Sequence, residues 1–132
     1  MTDLFVTNFY AAVDSMDIER QIALMTPDVV FRFANAPALH GPDAHRQGFV
    51  KLQKMVVSMR HEIKGVWASG DCRAVETRVT YVDKFGRSFS YPACTLIFER
   101  DGLVRELRIF VDSHDLFIPP ADALPAPDPA AA

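Results

Sequence analysis

Five residues of this chain are of types that move protons or hold an anion: Asn35, His61, Arg78, Tyr91 and Asp112. His61 falls on the same alternating parity as Ile63 and Trp67. An imidazole there can line a pocket as acid or base, or serve as a core histidine bonded to backbone. Arg78 offers a planar fork for an oxyanion or carboxylate, or a structural ion pair with Glu76 or Asp112. Asp112 closes the last apolar run, two residues before His114. It can act as a base at the edge of an apolar pocket, or pair with Arg108 at the surface. The Tyr91 hydroxyl can donate to a carbonyl oxygen or simply pack. Asn35, in "FRFANAPALHG", can cap a turn.

The elements that must position these groups follow from periodicity. Apolar residues at Phe5, Val6, Phe9, Tyr10 and Val13 predict a helix from about residue 3 to 14. "IERQIALM" predicts a second, short helix, and Pro27-Asp28 a turn. "VVFRF" reads as a short strand. Gly41-Pro42 opens a third helix carrying Phe49, Leu52, Met55 and Val56, because proline fits a first helical position. Beyond Ser58 the period changes to two. "RHEIKGVWASG", "RAVETRVTYV", "RSFSYPACTLIFE" and "LVRELRIFVD" read as four antiparallel strands in a meander, separated by "GD", "DKFG" and "RDG". The expected fold is α+β, four long strands plus one short, with three N-terminal helices on one face of a curved sheet. The domain spans residues 1–117. Five of the nine prolines lie in 118–132, which is expected to be a disordered tail.

Alternation along the strands points to a hollow. Tyr91, Ala93 and Thr95 share one parity, as do Leu107, Ile109 and Val111. A helix-covered sheet face that includes Ala and Thr in a central strand leaves space for a ligand. Phe33 and Trp67 suit the apolar wall of that space. Glu76 and Arg78 either join it or face solvent or an oligomer partner.

Composition narrows the classes. Fourteen basic and seventeen acidic side chains give a net charge of −3, with no basic stripe for nucleic acid. No apolar run approaches the length of a membrane span, and the N-terminus does not read as a signal peptide. Cys72 and Cys94 have no metal-ligand spacing and read as small buried hydrophobes, with a cytoplasmic home as the default. His40 and His45 read as surface or loop residues, and no metal site is expected.

The strings "FYAAVDSMDIERQIALMTPDVVFRF", "APALHGPDA", "RHEIKGVW" and "ERDGLVRELRIFVD" resemble the nuclear transport factor 2-like superfamily, also called SnoaL-like or ketosteroid-isomerase-like, over roughly residues 4 to 117. The resemblance implies a cone: a strongly bent antiparallel sheet against helices, a deep apolar pocket, and homodimers packed sheet to sheet. Compared with the limonene-epoxide hydrolases, Asn35 stands at the water-holding asparagine and Arg78 at the arginine. Thr80 and Ile109 stand at the two aspartates and Phe33 at the tyrosine, so no group remains to take the proton. Compared with the ketosteroid isomerases, the base falls on Phe33, the oxyanion tyrosine on Phe9 and the protonated aspartate near Thr95. The same resemblance places Tyr91 and Asn35 at the pocket.

Residues and resemblance together lead to the expectation of a cofactor-independent lyase, isomerase, cyclase or hydratase. It would use acid–base groups on a small hydrophobic or ring-bearing molecule. The alternatives are a non-catalytic module that holds such a ligand, and a dimerisation domain with a filled cavity. Catalysis is expected from Asn35, His61, Arg78, Tyr91 and Asp112, within walls of Phe33, Trp67, Ala93, Thr95, Leu107, Ile109 and Val111.

Overall fold

The computed structural model describes residues 3–123. Asp3 caps the first helix, α1 (Leu4–Asp14), accepting the Val6 N–H at 3.2 Å. Met16 then takes a left-handed conformation (φ 60°) and reverses the chain. Asp17 caps the short α2 (Ile18–Ile22), accepting from the Glu19 and Arg20 amides. This helix ends earlier than the periodicity suggests, because Met25 already belongs to a strand. Gly41 (φ 84°) and a proline in the first turn start α3 (Gly41–Gln53). Met55 and Val56 lie beyond that helix, and Val56 opens the next strand.

Six strands form one sheet: β1 (Met25–Phe33), β2 (Leu39–His40), β3 (Val56–Ser69), β4 (Cys72–Asp83), β5 (Ser88–Arg100) and β6 (Leu103–Val111). Their spatial order is β2-β1-β6-β5-β4-β3. The meander from β3 to β6 is antiparallel as expected. The early strand corrects the expectation. It runs nine residues through Pro27-Asp28, pairs parallel with β6, and carries the two-residue β2 on its outer edge. The sheet is therefore mixed. The β1 pairing is interrupted between Met25 and Val30, where Pro27 has no N–H to give.

Buried and exposed residues alternate along β4. Val75, Thr77, Val79 and Tyr81 face the helices, while Glu76 and Arg78 face outward. Two packed clusters result. One joins α1 to the middle of the sheet through Val6, Phe9, Val29, Ile97, Val104 and Leu107. The other gathers Val56, Met59, Val79, Tyr81 and Ala93 under Leu116, which a 3-10 turn (His114–Phe117) presses into place. The buried Asp83 carboxylate holds the β4–β5 turn, accepting from the Phe85 and Arg87 amides and from Arg87 Nε at 2.7 Å. Beyond Phe117 the chain continues in contact. Arg87 donates to the Ile118 carbonyl, and Ala121–Ala123 form a further 3-10 turn. The rest of the expected tail, 124–132, lies outside the described residues.

A bulge between Ile63 and Gly65 in β3 has consequences for the site. Before it, His61 pairs with Val79 and shares its inward face. After it, Trp67 pairs with Ala74, one residue out of phase. One extra residue turns every later side chain to the opposite face. Trp67 is accordingly exposed on the outer surface, its ring lying over Gly65, where an added Cβ would come within 2.5 Å.

Because Ile97 is fully buried in the first cluster, Ile97→Ala is expected to cost about 2–5 kcal/mol in urea denaturation. The exposed Val50→Ala should stay within about 0.5 kcal/mol of the parent.

Candidate functional site

Between α1, α3 and the concave sheet face lies a cavity of about 550 Å³. That is a volume suited to a small organic ligand. Its walls are mostly apolar. Val13 and Phe9 come from α1, Phe49 and Leu52 from α3, and Phe31 and Phe33 from β1. Ala93 and Thr95 of β5, with Leu107, Ile109 and Val111 of β6, form the floor. The small residues at 93 and 95 leave the floor low. On the opposite side Gly48 lies in mid-helix, where a glycine costs about 1 kcal/mol relative to alanine.

One polar pair dominates the wall. His61 Nδ1 lies 2.6 Å from Asp14 Oδ1, and the second oxygen, Oδ2, accepts the His61 backbone N–H at 2.9 Å. Asp14 is the last residue of α1 and His61 stands on β3, 47 positions on. A carboxylate on Nδ1 selects the tautomer that carries its proton there, leaving the Nε2 lone pair free. Among the described residues nothing else bonds to that ring, and the side chain lines the cavity with 12% of its surface exposed. The Tyr10 ring packs against it at 4.7 Å.

Tyr10 and Tyr81 also face the cavity. Burial pushes the Tyr10 phenol up to about 12 and raises that of Tyr81 as well. Both are neutral hydrogen-bond donors across the physiological range. The Tyr10 hydroxyl is fully buried beside Thr95, yet no group is aligned to complete a hydrogen bond with it. At the α2–α3 side, Gln21 and His45 enter the lining, with exposures of 4% and 5%. Burial alone brings the His45 imidazole down to about 4, so it is neutral at pH 7.

Of the five residues expected to do chemistry, the structure brings only His61 to the cavity. Arg78 is exposed on the convex face and makes no ion pair among the described residues, because β4 turns the parity of Glu76 and Arg78 away from the helices. Asp112 is exposed and accepts the His114 amide at 3.3 Å, capping the turn after β6. Its expected surface partner, Arg108, bonds Glu106 instead. Asn35 is exposed in a turn closed by Ala36 N–H to the Phe33 carbonyl, with Ala34 at φ 49°. Its neighbours Ala36 and Pro37, not its amide, reach the cavity. Tyr91 is on the expected face but lies outside the cavity, stacked on Phe89 and packed in the cluster under Leu116.

The expected walls fare better. Phe33, Ala93, Thr95, Leu107, Ile109 and Val111 all line the cavity, whereas Trp67 is on the outer surface. Cys94 is exposed rather than buried. His45 is buried in the cavity wall, not at the surface. Sequence reasoning does not single out Asp14, Tyr10, Tyr81 or His45 as polar groups of the site. Asp14 does carry a signal, since it is an acid one residue beyond the apolar Val13 on the buried side of α1.

A bent sheet closed by helices around a mostly apolar hollow, with His61 in its wall and Asp14 behind it, is a cone-shaped α+β fold. The chain belongs to the SnoaL-like domain family, whose pattern matches residues 6–107. In fold it is similar to a protein with a ketosteroid isomerase-like fold from Catenulispora acidiphila, crystallised with trimethylamine (TM-score 0.80, 18% identity, covering 95% of this chain and 100% of that one). It is similar also to a candidate SnoaL-like polyketide cyclase from a Jannaschia species (0.71, 23%, 82% and 83%). A limonene-epoxide-hydrolase-like epoxide hydrolase of M. tuberculosis gives 0.72 at 18% identity over 86% and 84%. No curated protein matches the chain. No helix among the described residues is long and apolar enough to cross a membrane.

The depressed His45 basicity has a sign in stability. The unfolded chain takes up a proton near the ordinary value of 6.5, the folded chain only near 4. Stability from this group is therefore full above about pH 6.5 and lost as pH falls toward 4. Between pH 7 and pH 5 the loss should be about 2 kcal/mol in urea denaturation. His45→Phe should flatten the profile by that amount.

Proposed function

We propose that the protein is an enzyme that moves a proton on a small hydrophobic, ring-bearing substrate held in the cavity. The observation that carries this reading is the Asp14–His61 pair, 2.6 Å apart, with His61 in a mostly apolar wall. His61 Nε2 is the base: it takes a proton from a carbon or hydroxyl of the substrate. Asp14 holds the ring in orientation and stabilises the imidazolium that forms. The neutral Tyr81 phenol, which lines the same cavity, donates to the oxygen on which negative charge develops, and Tyr10 packs on the His61 ring. The proton then returns from Nε2 to a different atom or to a departing hydroxyl. Isomerisation and elimination of water are thus two outcomes of the same step, and lyase, isomerase, cyclase and hydratase chemistry all fall within it. The side chains named suffice for this chemistry without a cofactor. Free cysteines suit a reducing cytoplasm.

A second copy of the chain is the proposed partner of the convex face. Trp67 and Phe110 are 61% and 57% exposed there, among charges of both signs at Glu76, Arg78, Glu106 and Arg108. A two-fold interface needs a self-complementary patch, and apolar rings among charges of both signs supply the groups for one. Light scattering at micromolar concentration should give twice the chain mass, and Phe110→Asp should give the monomer. A monomeric parent protein would contradict the proposal.

The base can be tested without the native substrate. In D2O the protein should accelerate exchange of the α-protons of 2-tetralone, followed by proton NMR. His61→Asn should lose about 10²-fold or more of that acceleration, and Asp14→Asn a smaller part. Undiminished exchange in His61→Asn would sink the assignment. Binding of the ketone without any exchange would favour a module that only holds its ligand.

A further inference from the structure

Two polar groups in the cavity wall have no role in the proton transfer and no partner. The Nε2 atoms of Gln21 and His45 are both fully buried without a hydrogen bond. Both residues line the cavity, and both are more than nine-tenths buried. Native interiors pair nearly all such groups, and an orphan at a cavity wall marks a place for a ligand atom. The residues come from neighbouring helices. Arg46 Nε and Nη2 grip the Glu19 carboxylate at 2.6 and 3.0 Å, fixing α3 against α2. His45 is further held by Phe31 of β1, with ring centroids 4.5 Å apart.

This end of the cavity is remote from the base. Phe31 stands on β1 and His61 on β3, with β6, β5 and β4 between them in the sheet. We propose that Gln21 and His45 form a second, distal subsite that binds a neutral oxygen substituent, a ring-borne hydroxyl, at the end of the substrate away from His61. The proposal rests on the reading of the cavity as a ligand site and specifies what that ligand carries. The Gln21 amide donates to the hydroxyl oxygen, and the unprotonated nitrogen of the His45 ring accepts its proton. A neutral imidazole supplies that lone pair, and burial keeps this ring neutral at pH 7. Phe31, Leu39 and Phe49 surround the pair. The one charged side chain lining the cavity among the described residues, Lys51, stands exposed six positions along α3 from His45, leaving no cation beside the pair itself to balance a carboxylate or phosphate. The substrate class is therefore a phenol or cyclic alcohol whose reacting carbon lies at the opposite end.

Matched pairs differing only in hydroxyl against methyl test this: phenol and toluene, 2-naphthol and 2-methylnaphthalene, 4-phenylphenol and 4-methylbiphenyl. Calorimetric titration should show at least about a tenfold preference for the hydroxyl in the pair that spans the cavity. Gln21→Leu and His45→Phe should each bring the ratio toward one while leaving the methyl compound bound as well or better. In the unaltered protein, the His45 imidazole nitrogen resonance should move with the hydroxyl compound and not with its methyl partner. Equal binding of both members, or a preference that survives both substitutions, overturns the subsite and leaves the cavity reading intact. Failure of every compound to perturb cavity amides would overturn both.

Discussion

The contact on which the site depends is the two-pronged grip of Asp14 on His61. One carboxylate oxygen meets the ring at Nδ1 and the other takes the backbone N–H of the same residue. A single acid thus fixes the position of β3 against the end of α1 and the orientation of an imidazole. A side chain held at both its backbone and its ring has little rotamer freedom left. That is the preorganisation a base needs before substrate arrives. Burying a charged group in apolar surroundings is costly unless it is paired. The pair is satisfied on its Asp14 side and open on its Nε2 side, toward the hollow.

The hollow exists because neither layer fills it. Ala93 and Thr95 keep the sheet floor low, while Gly48 lets Leu39 pack directly against α3, where an added Cβ would come within 2.9 Å of Leu39 Cδ1. The walls bring large rings, Phe9, Phe31, Phe33 and Phe49, around the rim of the space rather than through it. Several hydrogen-bonding atoms, among them the Tyr10 hydroxyl and the Gln21 and His45 Nε2 nitrogens, are buried without partners. Each such group costs about 1–3 kcal/mol when left unpaired. Of the six such atoms among the described residues, three belong to residues that line the cavity, and those of Thr26, Thr77 and Tyr91 lie elsewhere. Family membership agrees with this picture at the level of fold, since the similar structures share the cone at 18–23% identity.

Much of the architecture is legible in the chain. Apolar spacing marks α1 nearly to the residue and the start of α3 but not its end, and period-two alternation marks β3 to β6 and most of the cavity floor. Three things are not legible. The parallel pairing of β1 with β6 joins segments far apart in the chain, such as Phe31 with Leu107, and no local pattern records it. The bulge after Ile63 is invisible to alternation, which is why parity places His61 correctly and Trp67 on the wrong face. The partner of His61 lies on another element 47 positions away, so strand parity identifies the histidine but not the acid. Arg78 and Asp112 mislead for the opposite reason. Their types suggest chemistry, but parity puts them outward, and parity prevails. His45 sits among polar residues in the sequence of α3, and only the packing of Phe31 shows that it is interior.

The central claim, that Asp14 holds His61 as a base open to the cavity, is tested most directly by nitrogen NMR of the imidazole rings in labelled protein. Neutral His61 is predicted to carry its proton on Nδ1, with Nε2 bare, and Asp14→Asn to disturb this tautomer preference. A neutral His61 with its proton on Nε2, or a spectrum indifferent to Asp14→Asn, would contradict it.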